Sequence, residues 1–242
     1  MVLKISAIII YATDCDKELL EIAKKSVAWC DELVLVNGVN GSFNDWHNEG
    51  LEKAKGDWIL YVDIDEEITA KSAAEIQEKI LVTEANCLVI PRKNFIFGKE
   101  FKYSGQYPDY QKRVFKRKSL KKWVGVVHES PVFDSKAGYF GKLEHLKNPM
   151  IHRKNMTISE MVDKTNKWSE MEAQLMFEAN HPPMNIFRFA SAAFREFVKR
   201  FLKEKAFFDG KEGIIYGIYQ IYSKLISYSK LWEKQLQFTI HI

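Results

Sequence analysis

Apolar residues in the first ninety positions come in short unbroken runs, separated by stretches with helical period. Ile5–Tyr11 reads ISAIIIY, Leu33–Val36 LVLV, Trp58–Val62 WILYV and Cys87–Pro91 CLVIP. Runs this short and continuous predict strands buried on both faces of a sheet. Between them, Leu19, Ile22, Ala23 and Val27 recur at helical spacing within Lys17–Cys30, with Asp14 or Asp16 available as a cap. Asn44–Lys55 predicts a second helix, closed by Gly56, and Ser72–Leu81 a third, with Ala73, Ile76 and Ile80 inward and Thr69 as N-cap. Strands alternating with helices imply βαβ units and a mostly parallel sheet flanked by helices. Ligands of such sheets bind at the carboxyl ends of the strands. Tyr11–Asp14, Asn37–Gly41 and Asp63–Glu67 all fall there, so three loops are expected to converge.

The third strand runs straight into Asp63, Asp65, Glu66 and Glu67. Four acids at the mouth of a buried strand repel one another and need a counter-charge. In extended backbone, alternate residues point to one side, which would bring Asp63 and Asp65 together. Two converging carboxylates make a hard-oxygen site suited to Mg²⁺ or Mn²⁺ carrying a phosphate. An acidic helix start capped by Thr69 is the plainer reading of the same residues.

Composition fits a globular chain with one α/β core and a helical extension: 46% hydrophobic and 28% charged residues exclude a disordered or fibrous class. Cys15, Cys30 and Cys87 form no C-x-x-C pair and read as reduced thiols of a cytosolic protein. The chain enters its first strand without a charged leader, so no signal peptide is expected. No run of about 18 apolar residues marks a membrane span.

Charge is uneven along the chain. Asn185–Ile242 carries ten Lys/Arg against five Asp/Glu, a net +5, and the remaining 184 residues carry 26 against 27, a net −1. This segment, set off by His181-Pro182-Pro183, is rich in aromatic residues at helical spacing, with Arg195, Lys199, Arg200, Lys203 and Lys205 between them. It suits either a helix on an anionic bilayer or a helical cap with a solvated basic face. A second basic cluster between Lys99 and Lys122 lacks any nucleic-acid-binding motif, so no nucleic acid is expected as a partner. Alternation in Gln111–Arg117 predicts a strand in which Arg113 and Arg117 share a face with Phe115. Arg113 is placed to meet a diphosphate or an anionic acceptor.

In order along the chain stand Asp31-Glu32-Leu33-Val34-Leu35-Val36, Asn48, Gly56-Asp57-Trp58 and Asp63-Ile64-Asp65-Glu66. With these motifs the first half resembles the family 2 glycosyltransferases of GT-A type. Arg113-Val114-Phe115-Lys116-Arg117, Trp123, Val127-His128-Glu129, Ile151-His152 and Phe208-Asp209-Gly210-Lys211-Glu212-Gly213 resemble the subgroup that includes lipopolysaccharide inner-core β-1,4-glucosyltransferases. The resemblance runs from about residue 4 to about 232. It implies a Rossmann-like nucleotide-sugar-binding and catalytic domain over 1–155 and a helical extension over 156–242.

The resemblance further implies an inverting transfer from a nucleoside-diphosphate sugar, a UDP-sugar by expectation, to a glycan or lipid-linked acceptor at the cytoplasmic face of a bacterial membrane. Tyr11, Ala12, Thr13, Asn37, Asn48, Asp63 and Arg113 would hold the donor. Asp63, Asp65 and His152 would hold a divalent metal (Mn²⁺ or Mg²⁺), with His145 as the alternative to His152. Glu129 would serve as the base, with His128 orienting it or contacting the diphosphate. Two departures stand out: family members usually carry Asp at the position of Asn37, and the stretch Gly38–Trp46 is short. The competing readings are an inactive GT-A-like binding module and a nucleotidyltransferase, the latter disfavoured by the lack of a glycine-rich phosphate loop after Ile5–Tyr11.

Overall fold

The structure, a computed structural model, describes residues 3–39, 41–125, 130–134, 141–154 and 157–240. Two compact units divide the chain: residues 1–93 with 108–153, and residues 94–107 with 154–242. The second unit thus includes a short excursion from the first half of the sequence.

In the first unit, β1 (Ile5–Tyr11), β2 (Glu32–Asn37) and β3 (Trp58–Asp63) form a parallel core in the order β2-β1-β3. Helix α1 (Lys17–Ser26) connects β1 to β2, and α2 (Phe43–Lys53) connects β2 to β3. Asp16 caps α1 through the amides of Glu18 and Leu19. Ser42 and Asp45 form a reciprocal capping box on α2. After the two-residue β4 (Glu66–Glu67), α3 (Ala70–Val82) starts at Thr69, as its sequence predicts, and leads to β5 (Cys87–Ile96).

The sheet is mixed beyond β3. After the two-residue β6 (Lys99–Glu100), which pairs antiparallel with the end of β5, β7 (Asp109–Lys116) inserts antiparallel between β3 and β5, pairing Ile59 with Phe115 and Leu60 with Val114. The predicted fourth strand therefore does not adjoin the third. A chain that leaves along β5 and turns back within twenty residues has no crossover helix, so it can return only antiparallel. β10 (Leu143–His145) pairs parallel to β5, and β11 (Met150–Lys154) pairs antiparallel with β4. β8 (Leu120–Val124) and β9 (Ser130–Phe133) form a separate hairpin.

Side chains of β1 and β3 alternate into two cores. Ile5, Ala7 and Ile9 join Trp58, Leu60 and Val62 with α1 and α3, while Ile8 joins Ile59, Tyr61, Phe115 and Trp123 under α2. Each aliphatic side chain so buried contributes roughly 1.5–3 kcal/mol. Cys87 is wholly buried, and burial pushes its thiol up to about 12, so it is a core residue and not a nucleophile.

Gly56 does not close α2. The helix ends at Lys53, with Ala54 extended at its C-cap. Gly56 lies against β1 instead: its amide donates to Ser6 Oγ at 2.7 Å, and a Cβ there would stand 2.6 Å from the Ser6 backbone nitrogen.

The second unit is helical. α4 (Ile158–Glu178), α5 (Ile186–Phe197) and the long α6 (Gly210–Ile240) pack around Ala173, Met184 and Leu231, with a six-residue π-turn over Val198–Lys203. Asp209 is buried. Its carboxylate accepts the amides of Lys102 and Tyr103 and the Ser104 hydroxyl. These bonds hold a turn whose Ser104 and Gly105 both have positive φ. No described helix is long and apolar enough to cross a membrane.

Gly56→Ala is expected to lower stability by about 1–3 kcal/mol, because backbone has to move to admit the methyl. A urea titration would show a lower midpoint at unchanged slope. An unchanged midpoint would mean that the β1 contact opens at no cost.

Candidate functional site at the carboxyl edge of the sheet

The three parallel strands deliver their ends side by side. Tyr11 pairs in register with Asn37, and Ile10 with Asp63. The first two loops are tied together: Gly38 donates its amide to Tyr11 O at 2.8 Å, Thr13 Oγ1 donates to Asn37 Oδ1 at 3.2 Å, and Ala12 O accepts the Cys15 amide. An uncharged Asn37 accepts the hydroxyl as an Asp would, without adding to the acids nearby.

Asp63 and Asp65 take different partners. β3 ends at Asp63, and residues 64–65 form a turn, so the strand alternation that would align the two side chains stops one residue too early. Asp63 is bound by Arg113 Nη2. Asp65 Oδ2 lies 3.1 Å from His152 Nε2, on the neighbouring β11. Burial alone would raise the Asp65 carboxyl. The His152 hydrogen bond and charge, with smaller help from its own amide and from Arg92, outweigh burial and hold it below the usual carboxylate range.

Glu66 is the anchor of the cluster. Its side chain has no exposure, and Oε1 receives Arg92 Nη1 at 3.0 Å and Arg113 Nη2 at 2.6 Å. Oε2 receives the Asp63 amide at 3.2 Å. Arg92 also grips Asp109 Oδ2 through Nε and Nη2 at 2.9 and 2.7 Å. Burial would weaken the charge on Arg113, but Asp63 and Glu66 outweigh it and raise its pKa further. Glu67 is paired with Arg153 Nη2 at 2.5 Å. The four acids thus find their partners in three arginines and a histidine of the chain itself. Arg92 carries no signal in the sequence, since one arginine following an apolar strand makes no pattern.

Beside this cluster lies a cavity of about 430 Å³, walled by Asp63, Arg92, Tyr110 and Arg113 and by the rings of Phe43 and Trp123. Arg113 Nε is buried there with no hydrogen-bond partner among the described residues. Asn48 is committed elsewhere: its Oδ1 accepts the Trp123 amide at 2.8 Å, and its Nδ2 donates to Trp123 O at 3.2 Å. One turn earlier Asn44 donates to Gly125 O. The two Asn48 bonds clamp the end of β8. Arg117 also departs from expectation. It begins a 3-10 turn after β7 and donates Nε to Ala54 O, away from Arg113. His145 stacks edge-on to Tyr110. His128 and Glu129 lie outside the described residues.

No three His, Cys, Asp or Glu side chains converge as a metal cage among the described residues. The donors that do meet are Asp65 and His152. Adjacent ligands of a six-coordinate ion, each about 2.1 Å from it, stand about 3.0 Å apart. The 3.1 Å pair fits such an ion, whereas Asp63 would first have to release Arg113.

No family model matches the chain. A chain of Rickettsia bellii named "uncharacterized glycosyltransferase" is 25% identical over 198 residues, 76% of this chain and 64% of that one. A Rickettsia conorii chain named likewise is 23% identical, over 75% of this chain and 66% of its own length. The chain therefore spans just under two thirds of the length of these relatives. Among solved structures, the mannosyltransferase PcManGT of Pyrobaculum calidifontis, in complex with GDP-Man and Mn²⁺, is similar with a TM-score of 0.50 and 11% identity. That match covers 97% of this chain and 88% of the other. The fold is of the GT-A type. The GT-A sheet explains why the acids, the arginines and the cavity gather at one edge.

Glu66→Ala is expected to lower stability by about 3 kcal/mol, because it leaves two buried guanidiniums short of a partner. Asp63→Ala, at a half-exposed carboxylate, is expected to cost about 1 kcal/mol or less. Chemical denaturation of both variants at pH 7 tests the order. The reverse ranking would mean that Asp63 and not Glu66 anchors the cluster.

Proposed function

We propose that this chain is a divalent-metal-dependent, inverting glycosyltransferase that takes a nucleoside-diphosphate sugar. The observation that carries this reading is the Asp65–His152 pair, set beside the Asp63–Arg113–Glu66 cluster at the carboxyl edge of a GT-A sheet. The names of the Rickettsia relatives support it. The Mn²⁺ and GDP-Man held by the Pyrobaculum neighbour agree with a metal and a nucleotide sugar.

Asp65 and His152 would hold the ion, which when bound neutralises the leaving diphosphate. Arg113 lines the cavity with one unused N–H. A phosphate oxygen there would satisfy that donor and draw the guanidinium from Asp63, which then becomes available to the ion. Tyr11–Thr13 and Asn37, tied together at the ends of β1 and β2, would receive the nucleoside. A UDP-sugar is the expected donor. Glu129 is the proposed base, with His128 beside it. Asn44 and Asn48 fix the backbone at Trp123 and Gly125. An acceptor hydroxyl deprotonated by Glu129 attacks the anomeric carbon as the bond to the diphosphate breaks, and the configuration inverts. The acceptor would be a glycan or lipid-linked sugar of a bacterial surface polysaccharide, of lipopolysaccharide type, met at the inner face of the cell membrane.

The pairing of Asp63 with Arg113 favours one second reading, a GT-A module that binds a nucleotide sugar without transferring it.

Calorimetric titration of UDP and GDP with and without Mn²⁺, followed by a nucleotide-sugar hydrolysis panel, separates the two. Metal-dependent nucleotide binding is expected in the wild type and lost in Asp65→Ala and His152→Ala. Glu129→Gln should keep that binding and lose roughly 10²–10⁴-fold in transfer. Binding that ignores Mn²⁺ would overturn the metal assignment, and binding without turnover of any sugar would leave the inert module.

A further inference from the structure

The second unit leaves an apolar stripe in water. On α5, Ile186 is 74% exposed, Phe187 81% and Phe194 67%; on the following π-turn, Leu202 is 61% exposed. Ala192 on the opposite face of α5 is buried. Phe187 and Phe194 are two turns apart and so share a face. A π-turn closes i→i+5 bonds and advances fewer degrees per residue than an α-turn. Over Val198–Lys203 this returns Leu202 to the line of the two phenylalanines. Phe197 and Phe201 stack at 5.1 Å along the same segment.

The charges around this stripe are sorted by the fold in a way the sequence does not show. Arg200 is turned inward, with 13% side-chain exposure. It takes both nearby acids, Glu196 at 2.6 Å and Glu204 at 2.8 Å. Lys199 reaches Glu204 only at 4.0 Å. Arg188, Arg195 and Lys203 are exposed, and no carboxylate lies within ion-pair distance of any of them among the described residues. Arg195 donates instead to the Ser191 hydroxyl. Arg188 and Arg195 are again two turns apart, so the cations flank the phenylalanines along one side of the helix. Solvent therefore meets a strip of apolar rings edged by uncompensated positive charge.

We infer that Ile186–Lys203 is a surface that lies flat on an anionic bilayer, with Phe187, Phe194 and Leu202 entering the headgroup boundary and Arg188, Arg195 and Lys203 meeting lipid phosphates. Charge complementarity selects this occupant. A second copy of this chain would bring the same cations against each other, and a neutral apolar partner would leave them unmatched. The helix is too short and too charged to span, so it lies in the plane of the interface. That the acceptor is lipid-linked rests on the transferase reading; the docking itself does not.

Sedimentation with vesicles of phosphatidylcholine alone, and of phosphatidylcholine with phosphatidylglycerol, tests the surface at about 50 mM and about 0.5 M salt. The wild type is expected to bind the anionic vesicles only, and to be released at high salt. Arg188→Gln with Arg195→Gln should weaken binding about 25-fold, from about fivefold per basic residue. Phe187→Ser with Phe194→Ser should weaken it at least tenfold, with the circular-dichroism melt unchanged because both rings are already in water. Equal binding to neutral vesicles, no binding at all, or binding untouched by either pair of substitutions would overturn the inference. So would self-association by light scattering that the phenylalanine substitutions abolish, which would assign the face to a second copy. Nucleotide binding in solution should be the same in both double variants, so failure of docking and failure of the transferase reading are read on separate measurements.

Discussion

A carboxylate taken entirely out of water, that of Glu66, is the constraint around which the carboxyl edge of the sheet is built. Removing such a charge from solvent costs several kcal/mol unless its oxygens are met by matched donors. Here Arg92 comes from β5, Arg113 from β7 and an amide from the end of β3, all converging on β4. One buried charge thereby cross-links the parallel half of the sheet to its antiparallel half. It also fixes where Asp63 stands, because the guanidinium that serves Glu66 serves Asp63 as well.

The same balance decides which groups are left for chemistry. Glu66, Glu67 and Asp109 are matched by arginines whose forks hold them in place. Asp65 is matched by a histidine, a partner that can exchange its proton for a metal ion while keeping its position. Of the acids at the strand mouth, Asp65 is thus the one whose partner is of a residue type that can bind a metal, while Arg113 keeps one buried N–H without a hydrogen-bond partner among the described residues. The asparagines of α2 extend this order to the β8 backbone and use neutral donors and acceptors where a further charge would disturb the balance.

The helical unit follows a parallel logic with different consequences. Asp209 spends its carboxylate on the amides of a left-handed turn, and Arg200 spends its guanidinium on two glutamates of its own segment. Because the acids are consumed internally, the outward face of α5 carries apolar rings and positive charge together. A soluble surface rarely concentrates both in one strip unless it meets a partner.

Apolar run length and helical period were enough to define β1, β2, β3 and the helices between them, because burial on two faces leaves an unbroken hydrophobic signature. The same reading brought the three loops to one edge, since loops at the carboxyl ends of parallel strands must gather. The antiparallel insertion of β7 between β3 and β5 was not legible, because neighbouring strands of one sheet share the same composition whatever their order. Nor did the alternation of Asp63 and Asp65 survive, as it held only while the backbone stayed extended, and the turn at residues 64–65 sent the two carboxylates to different partners. Arg92, the inward turn of Arg200 and the clamp made by Asn48 belong to tertiary structure alone. Each depends on a partner tens of residues away or on which side of a helix faces the core, and local sequence encodes the availability of a charge but not its match.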